Sequence, residues 1–109
     1  MNYNQRNRKQ YETKMLFEHQ SRIHMNCIRL STANSYEHEK SKFLYSWNLL
    51  KKGENFITEA VMEKPFRKRC DIVNISKGYI VEIVKSESKR SQFEKEENYP
   101  LPIKFVKVL

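Results

Sequence analysis

The chain has 109 residues, 39% hydrophobic and 31% charged, with a mean hydropathy of −0.82, enough for one compact domain and little ornament. Two Gly and three Pro leave no material for Gly-rich phosphate loops or low-complexity linkers, and no nucleophile elbow, supported Cys/His dyad or EF-hand pattern is present. Twenty-one Lys and Arg against thirteen Asp and Glu give a net charge of +8, which attracts polyanions, nucleic acid first among them. The plainer alternative is a Lys-rich surface that only confers solubility. No apolar run approaches the roughly 20 residues needed to span a bilayer, and the basic N-terminus lacks the apolar stretch of a signal peptide. A cytoplasmic, intracellular protein without membrane partners is therefore expected. Cys27 and Cys70 are too few for a disulfide scaffold and suit a reducing compartment.

Residues 1–35 carry six Lys and Arg and two Glu, and read as a basic N-terminal arm or helix. Asn2, Asn4, Gln5, Asn7 and Gln10 suggest mobility at its start, with weak helical spacing from Gln10 to about Leu30. The α/β domain is expected over 36–109. Ser35 can cap a helix whose first turn holds Glu37 and Glu39, where negative charge suits the macrodipole. Phe43, Trp47 and Leu50 recur at helical spacing, widened by Leu44, as the face expected to reach the sheet, and Gly53 ends the helix. The period then changes to two. Strands are predicted over Phe56–Met62, Cys70–Ile75 and Tyr79–Val84, the last two joined by the turn Ser76-Lys77-Gly78. Ser88 to Asn98 predicts a second helix with Phe93 as its apolar contact. Pro100 and Pro102 break it, and Ile103–Leu109 is a final strand. The expected order is α-β-β-β-α-β, a mixed four-stranded sheet flanked by helices with one right-handed parallel crossover.

Twelve Glu and a single Asp are available. Asp71 opens the second strand, Glu82 lies mid-strand between Ile80-Val81 and Ile83-Val84, and Glu59 sits between Ile57 and Val61 on its own face. A carboxylate set among apolar residues is costly to bury without a cation or donor. Three on adjacent strands could ligate Mg²⁺ or Mn²⁺, which prefer oxygen and activate water for phosphodiester attack. The competing reading for Glu59 and Glu82 is a structural ion pair with Lys or Arg from a helix. Glu39 could reach the same cluster or serve only as a first-turn charge. His38 is expected on the far side of the helix, in solvent.

Thr58-Glu59-Ala60, Arg69-Cys70-Asp71-Ile72-Val73 and Val81-Glu82-Ile83 on this frame resemble the PD-(D/E)xK, restriction-endonuclease-like superfamily, near the minimal cores of Holliday junction resolvases. The resemblance covers about Tyr36 to Leu109. It implies a Mg²⁺- or Mn²⁺-dependent endonuclease acting on DNA, with Asp71 and Glu82 as metal ligands and Glu59 as third ligand or base. Here Val84 stands where the family has the Lys two residues after the strand acid. Lys85, one residue on, would point to the other face of a regular strand. A bulge could bring Lys85 round, Lys42 or Lys40 of the first helix could substitute, or the site is degenerate and the domain is a DNA-binding or assembly module. By analogy, small members of such folds form homodimers.

Arg67, Lys68 and Arg69, with Arg6, Arg8, Lys9 and Lys14, could neutralise phosphates, or be ordinary solvated charges. Tyr3, Tyr11 and Tyr36 could stack on unpaired bases. His19, His24 and Cys27, with Cys70 as a fourth ligand, match no closed zinc finger, so zinc is disfavoured.

Overall fold

A computed structural model describes residues 2–18, 25–63, 68–85 and 89–108. The order is α1 (Tyr3–Lys14), α2 (Tyr36–Lys51), β1 (Phe56–Val61), β2 (Arg69–Asn74), β3 (Tyr79–Val84), α3 (Lys89–Asn98) and β4 (Ile103–Lys107). It matches the expected α/β frame with one helix added at the front. The sheet is four-stranded and mixed, in the order β1-β2-β3-β4, with β1, β2 and β3 antiparallel and β4 parallel to β3.

Each helix end has a local cause. Asn2 caps α1, its side chain accepting from the Gln5 amide while the Gln5 side chain accepts from the Asn2 amide, a reciprocal box that satisfies two orphan donors. Residues 3–9 are thus helix where mobility was expected, and the helix runs on to Lys14. The helix docks on the strand ends: Arg6 donates to the Gly53 carbonyl, Gln10 accepts from Asn55, and Thr13 is buried. Gly78 has φ +77°, a backbone conformation that calls for glycine, and the end of the Lys9 side chain lies against it. Beyond α1, Phe17 pairs with Met62 and is buried against the sheet.

Ser35 caps α2 by accepting from the His38 amide. The helix is placed as predicted, but its buried face is not the predicted one. Ser41, Lys42, Ser46 and Leu49 face inward, while Phe43, Trp47 and Leu50 face out. The aromatic stripe that looked like core packing is solvent-facing. Similarly, α3 buries no side chain and Phe93 is exposed; the segment is held instead by Tyr99 and Leu101, which pack on the sheet.

The core has two layers. Ile57, Val73, Ile75 and Ile80 pack with Phe17, Met62 and the Tyr99 segment on one face. Phe56, Ile72, Val81 and Ile83 pack with Leu49 and Tyr45 of α2 on the other.

Leu49 and Leu50 therefore give a direct check, being 2% and 47% exposed. In urea titrations of dilute protein, Leu49→Ala should cost about 2–5 kcal/mol and Leu50→Ala under about 1 kcal/mol. The reverse order would place the aromatic stripe in the core after all.

Candidate functional site

The sheet opens at one row. Strand pairing carries Asp71 opposite Glu59 on one side and Glu82 on the other, yet neither pair forms a ladder contact: β1–β2 pairing skips from Thr58–Ile72 to Ala60–Cys70, and β2–β3 pairing ends at Ile72–Val81. Face alternation shifts at the same row. Ile57 and Ala60, three apart, share one core layer, as do Cys70 and Val73. Glu59 takes φ +50°, a left-handed conformation that costs a non-glycine residue about 1–2 kcal/mol. Regular strand geometry would have sent Glu59 to the Ile57 face; the backbone turn sends it to α2.

Two side chains fill the opening. The Asp71 amide donates to Glu82 Oε2 at 3.3 Å, and the Ile83 amide donates to Asp71 Oδ2 at 2.8 Å. Each carboxylate thus replaces a ladder acceptor, which buried backbone donors require. The two carboxyl groups are close neighbours. They meet in the gap while being reached from opposite faces. His38 of α2 approaches Asp71 Oδ2 at 3.3 Å, whereas the Tyr99 hydroxyl donates to Glu82 Oε1 at 3.1 Å and Lys95 of α3 lies 3.9 Å from it.

Glu59 belongs to an adjoining cluster. The wholly buried Lys42 ammonium contacts Glu59 at 2.8 Å, Glu39 at 2.6 Å and the Arg29 carbonyl at 2.7 Å, and Arg69 stands 3.9 Å from the other Glu59 oxygen. Of the two readings for Glu59, the structural ion pair is present. His38 joins the clusters, its Nδ1 being 3.0 Å from Glu39, so it faces the sheet rather than solvent. Among the described residues, no three His, Cys, Asp or Glu side chains converge to hold a metal.

The electrostatics follow from burial and neighbours. Burial, then the charge and close approach of the Asp71 carboxyl, push Glu82 from about 4.5 up to about 7. Burial also pushes the Cys70 thiol well above its usual range, so it is an inert thiol. At Glu39 burial works upward but is outweighed by hydrogen bonds from Lys42, Asn34 and His38, which hold the carboxyl low.

The remaining predicted residues divide by position. Lys85 is exposed in the bend after β3, and β3 pairs with β4 without interruption from Ile80–Ile103 to Val84–Lys107, so no bulge turns Lys85 inward. Lys68 helps line a cleft of about 270 Å³ with Ser91, Glu94, Lys95, Asn98 and Tyr99, beside Glu82. Arg69 is close to Glu59. Arg67 lies outside the described residues, as do His19 and His24. Arg6, Arg8 and Lys9 sit on α1 at the other end of the strands, by Gly53, Ser76 and Gly78, roughly 15 Å along β2 from Asp71 at strand rise. The structure does not bring them to the carboxylate pair. Cys27 is exposed and Cys70 buried.

Lys95 and Tyr99 escaped the sequence reading because they lie on a crossover that reads as solvated polar helix. The turn signal Tyr99-Pro100-Leu101-Pro102 was the available clue, since it forces the chain back onto the sheet.

Comparison with family models, with curated proteins and with solved structures gives no match.

Two expectations follow. Folded protein keeps the Glu82 proton up to about pH 7, while the unfolded chain releases it near 4.5. The folded state then binds more protons across that window, and stability falls as pH rises through it. Urea titrations at pH 5 and pH 8 should show this loss, and Glu82→Gln should flatten it. A parent that gains stability over that interval contradicts a proton on Glu82. Separately, Lys42→Met leaves Glu39 and Glu59 without their shared cation and should cost about 3–5 kcal/mol. Glu59→Gln added to it should recover part of that loss, measured by the same titrations.

Proposed function

We propose that the chain is a metal-dependent nuclease-like protein acting on DNA, in which Asp71 and Glu82 together hold Mg²⁺ or Mn²⁺. The observation that carries this reading is the meeting of those two carboxyl groups at the open end of the β2–β3 hairpin, beside a cleft that bears Lys68 and Lys95. Two adjoining acids with hard oxygen donors suit a small divalent cation. Their fit is supported by the cost of holding both ionised without one, since like charges in a shared site repel. Such an ion, when bound, would supply Lewis acidity and an activated water for phosphodiester hydrolysis.

The chain's own residues have separate tasks in this reading. Tyr99 and the Asp71 amide orient Glu82, while His38 and the Ile83 amide orient Asp71. Lys95 takes the place of the motif lysine that Val84 displaces, setting a positive charge near developing phosphate charge. Lys68 and Arg69 neutralise the nucleic-acid backbone, which gives affinity without sequence readout. Glu59 is a supporting residue here and not a ligand, because Lys42 engages it.

The alternative, a catalytically degenerate domain that binds DNA or assembles on it, is favoured by two specific features. Lys85 is remote from the acids, and the ion pair with Lys42 neutralises Glu59.

A cleavage assay on linear, supercoiled and branched DNA with Mg²⁺ or Mn²⁺ separates the readings. Asp71→Asn and Lys95→Ala should each lower cleavage by about 100-fold or more, with Lys85→Ala close to the parent. DNA affinity should fall with salt and fall less steeply in Lys68→Ala/Arg69→Ala. No cleavage of any substrate, with that salt-dependent binding intact, would establish the degenerate reading. Absence of Mn²⁺ binding by calorimetry together with absence of DNA binding would remove both.

A further inference from the structure

Among the described residues, neither the two core layers nor the carboxylate site uses the outward face of α2. Tyr36, Lys40, Phe43, Trp47 and Leu50 follow one another at steps of four, three, four and three residues. That is the spacing of a single seam along a helix built to meet another helix. All five are exposed, and the Phe43 and Trp47 rings stack with centroids 6.3 Å apart and planes 16° from parallel. The inner face of the same helix carries Ser41, Lys42, Ser46 and Leu49, so the more apolar side is the one in water. Scattered exposed apolar residues need no explanation; an aligned stripe of aromatics on the polar-cored side of a helix does.

Charge on one flank of the seam selects the occupant. Glu37, Leu44 and Lys51 lie seven residues apart along that flank, with Glu37 and Lys51 exposed and Leu44 half-buried. When two such helices pack antiparallel, this flank meets itself reversed about Leu44. Glu37 then faces Lys51 of the second copy, twice over by symmetry, and Leu44 faces its own counterpart. Opposed helix dipoles favour the same orientation. A parallel pairing would set the flank against Glu39 and Ser46, which are already turned toward the protomer's own interior. The pattern is self-complementary in one orientation only.

We infer that the chain forms a twofold homodimer through the outer face of α2, packed antiparallel against α2 of a second copy with Trp47 and Phe43 at its centre. The inner side of the helix keeps Lys42 and His38 on the sheet, so the two carboxylate sites lie outside the contact. The proposal stands whether or not those sites cleave DNA.

Sedimentation equilibrium of the full chain over a range of concentrations tests it. The parent should show a monomer–dimer equilibrium, and emission from Trp47, the sole tryptophan, should shift to the blue as concentration rises. Trp47→Glu should leave only monomer. Glu37→Lys and Lys51→Glu, both at exposed helix ends where losing a favourable dipole charge is small beside the stability of the fold, should each weaken the dimer by about tenfold, since two attractive pairs become repulsive. The double variant Glu37→Lys/Lys51→Glu should return to within about twofold of the parent. A parent that is monomeric throughout, a dimer that survives Trp47→Glu, or single charge reversals that the double variant does not rescue would each overturn the inference. So would a monomer whose Trp47 emission responds only to added nucleic acid or lipid vesicles.

Discussion

Everything near the carboxylate pair depends on the buried ammonium of Lys42. A charge removed from water is tolerated only when opposite charge and hydrogen-bond acceptors surround it, and Lys42 finds Glu39, Glu59 and the Arg29 carbonyl. Those three partners come from α2 itself, from β1 and from the segment before α2. One cation therefore ties the helix to the sheet and to the preceding chain. It also accounts for the left-handed turn at Glu59, because only that turn presents the carboxylate to α2. The turn coincides with the break in β1–β2 pairing on one side of Asp71; on the other side, in the same row, Asp71 meets Glu82.

The consequence is a helix whose two faces have exchanged their usual characters. The inner face of α2 is occupied by Lys42, two serines and His38, with Leu49 as its fully buried apolar contact. An amphipathic helix normally buries its widest apolar stripe. Here polar chemistry takes the buried side, and the apolar stripe is left in solvent. The residues that meet the sheet acids and the apolar stripe thus share one helix and are set on opposite sides of it.

Much of the frame was legible in the residues. Ser35 and Gly53 bracket α2 because cap chemistry is local, and Tyr79–Val84 reads as a central strand because β-branched residues on both faces leave little alternative. Asp71 and Glu82 were placed as neighbours by strand spacing alone, and they are. What failed were the judgements of which face a helix or a side chain would turn to the sheet. Periodicity says which side of α2 is apolar but not which side the sheet will take. Regular alternation put Glu59 with Ile57, and no rule of spacing announces a positive φ at a glutamate. His38 was sent to solvent for the same reason: it follows the buried-face geometry of Lys42, not the aromatic stripe. Lys95 and Tyr99 became visible only when the crossover folded back.

The two carboxyls in the opening illustrate why a stable fold would retain so awkward a pair. Burial and mutual repulsion raise the Glu82 carboxyl to about 7, which means the ionised pair strains the protein at neutral pH. A fold selected for stability alone would place apolar residues there, as it does one row away at Ile72 and Val81. The surroundings instead spend their donors on holding the acids in place: two backbone amides, Tyr99 and His38. Lys95 stands 3.9 Å from Glu82. That contrasts with Glu59, whose cation sits at 2.8 Å. Neighbouring acids on one row of one sheet are thus treated in opposite ways, one held by a buried cation and two set side by side and oriented by hydrogen-bond donors.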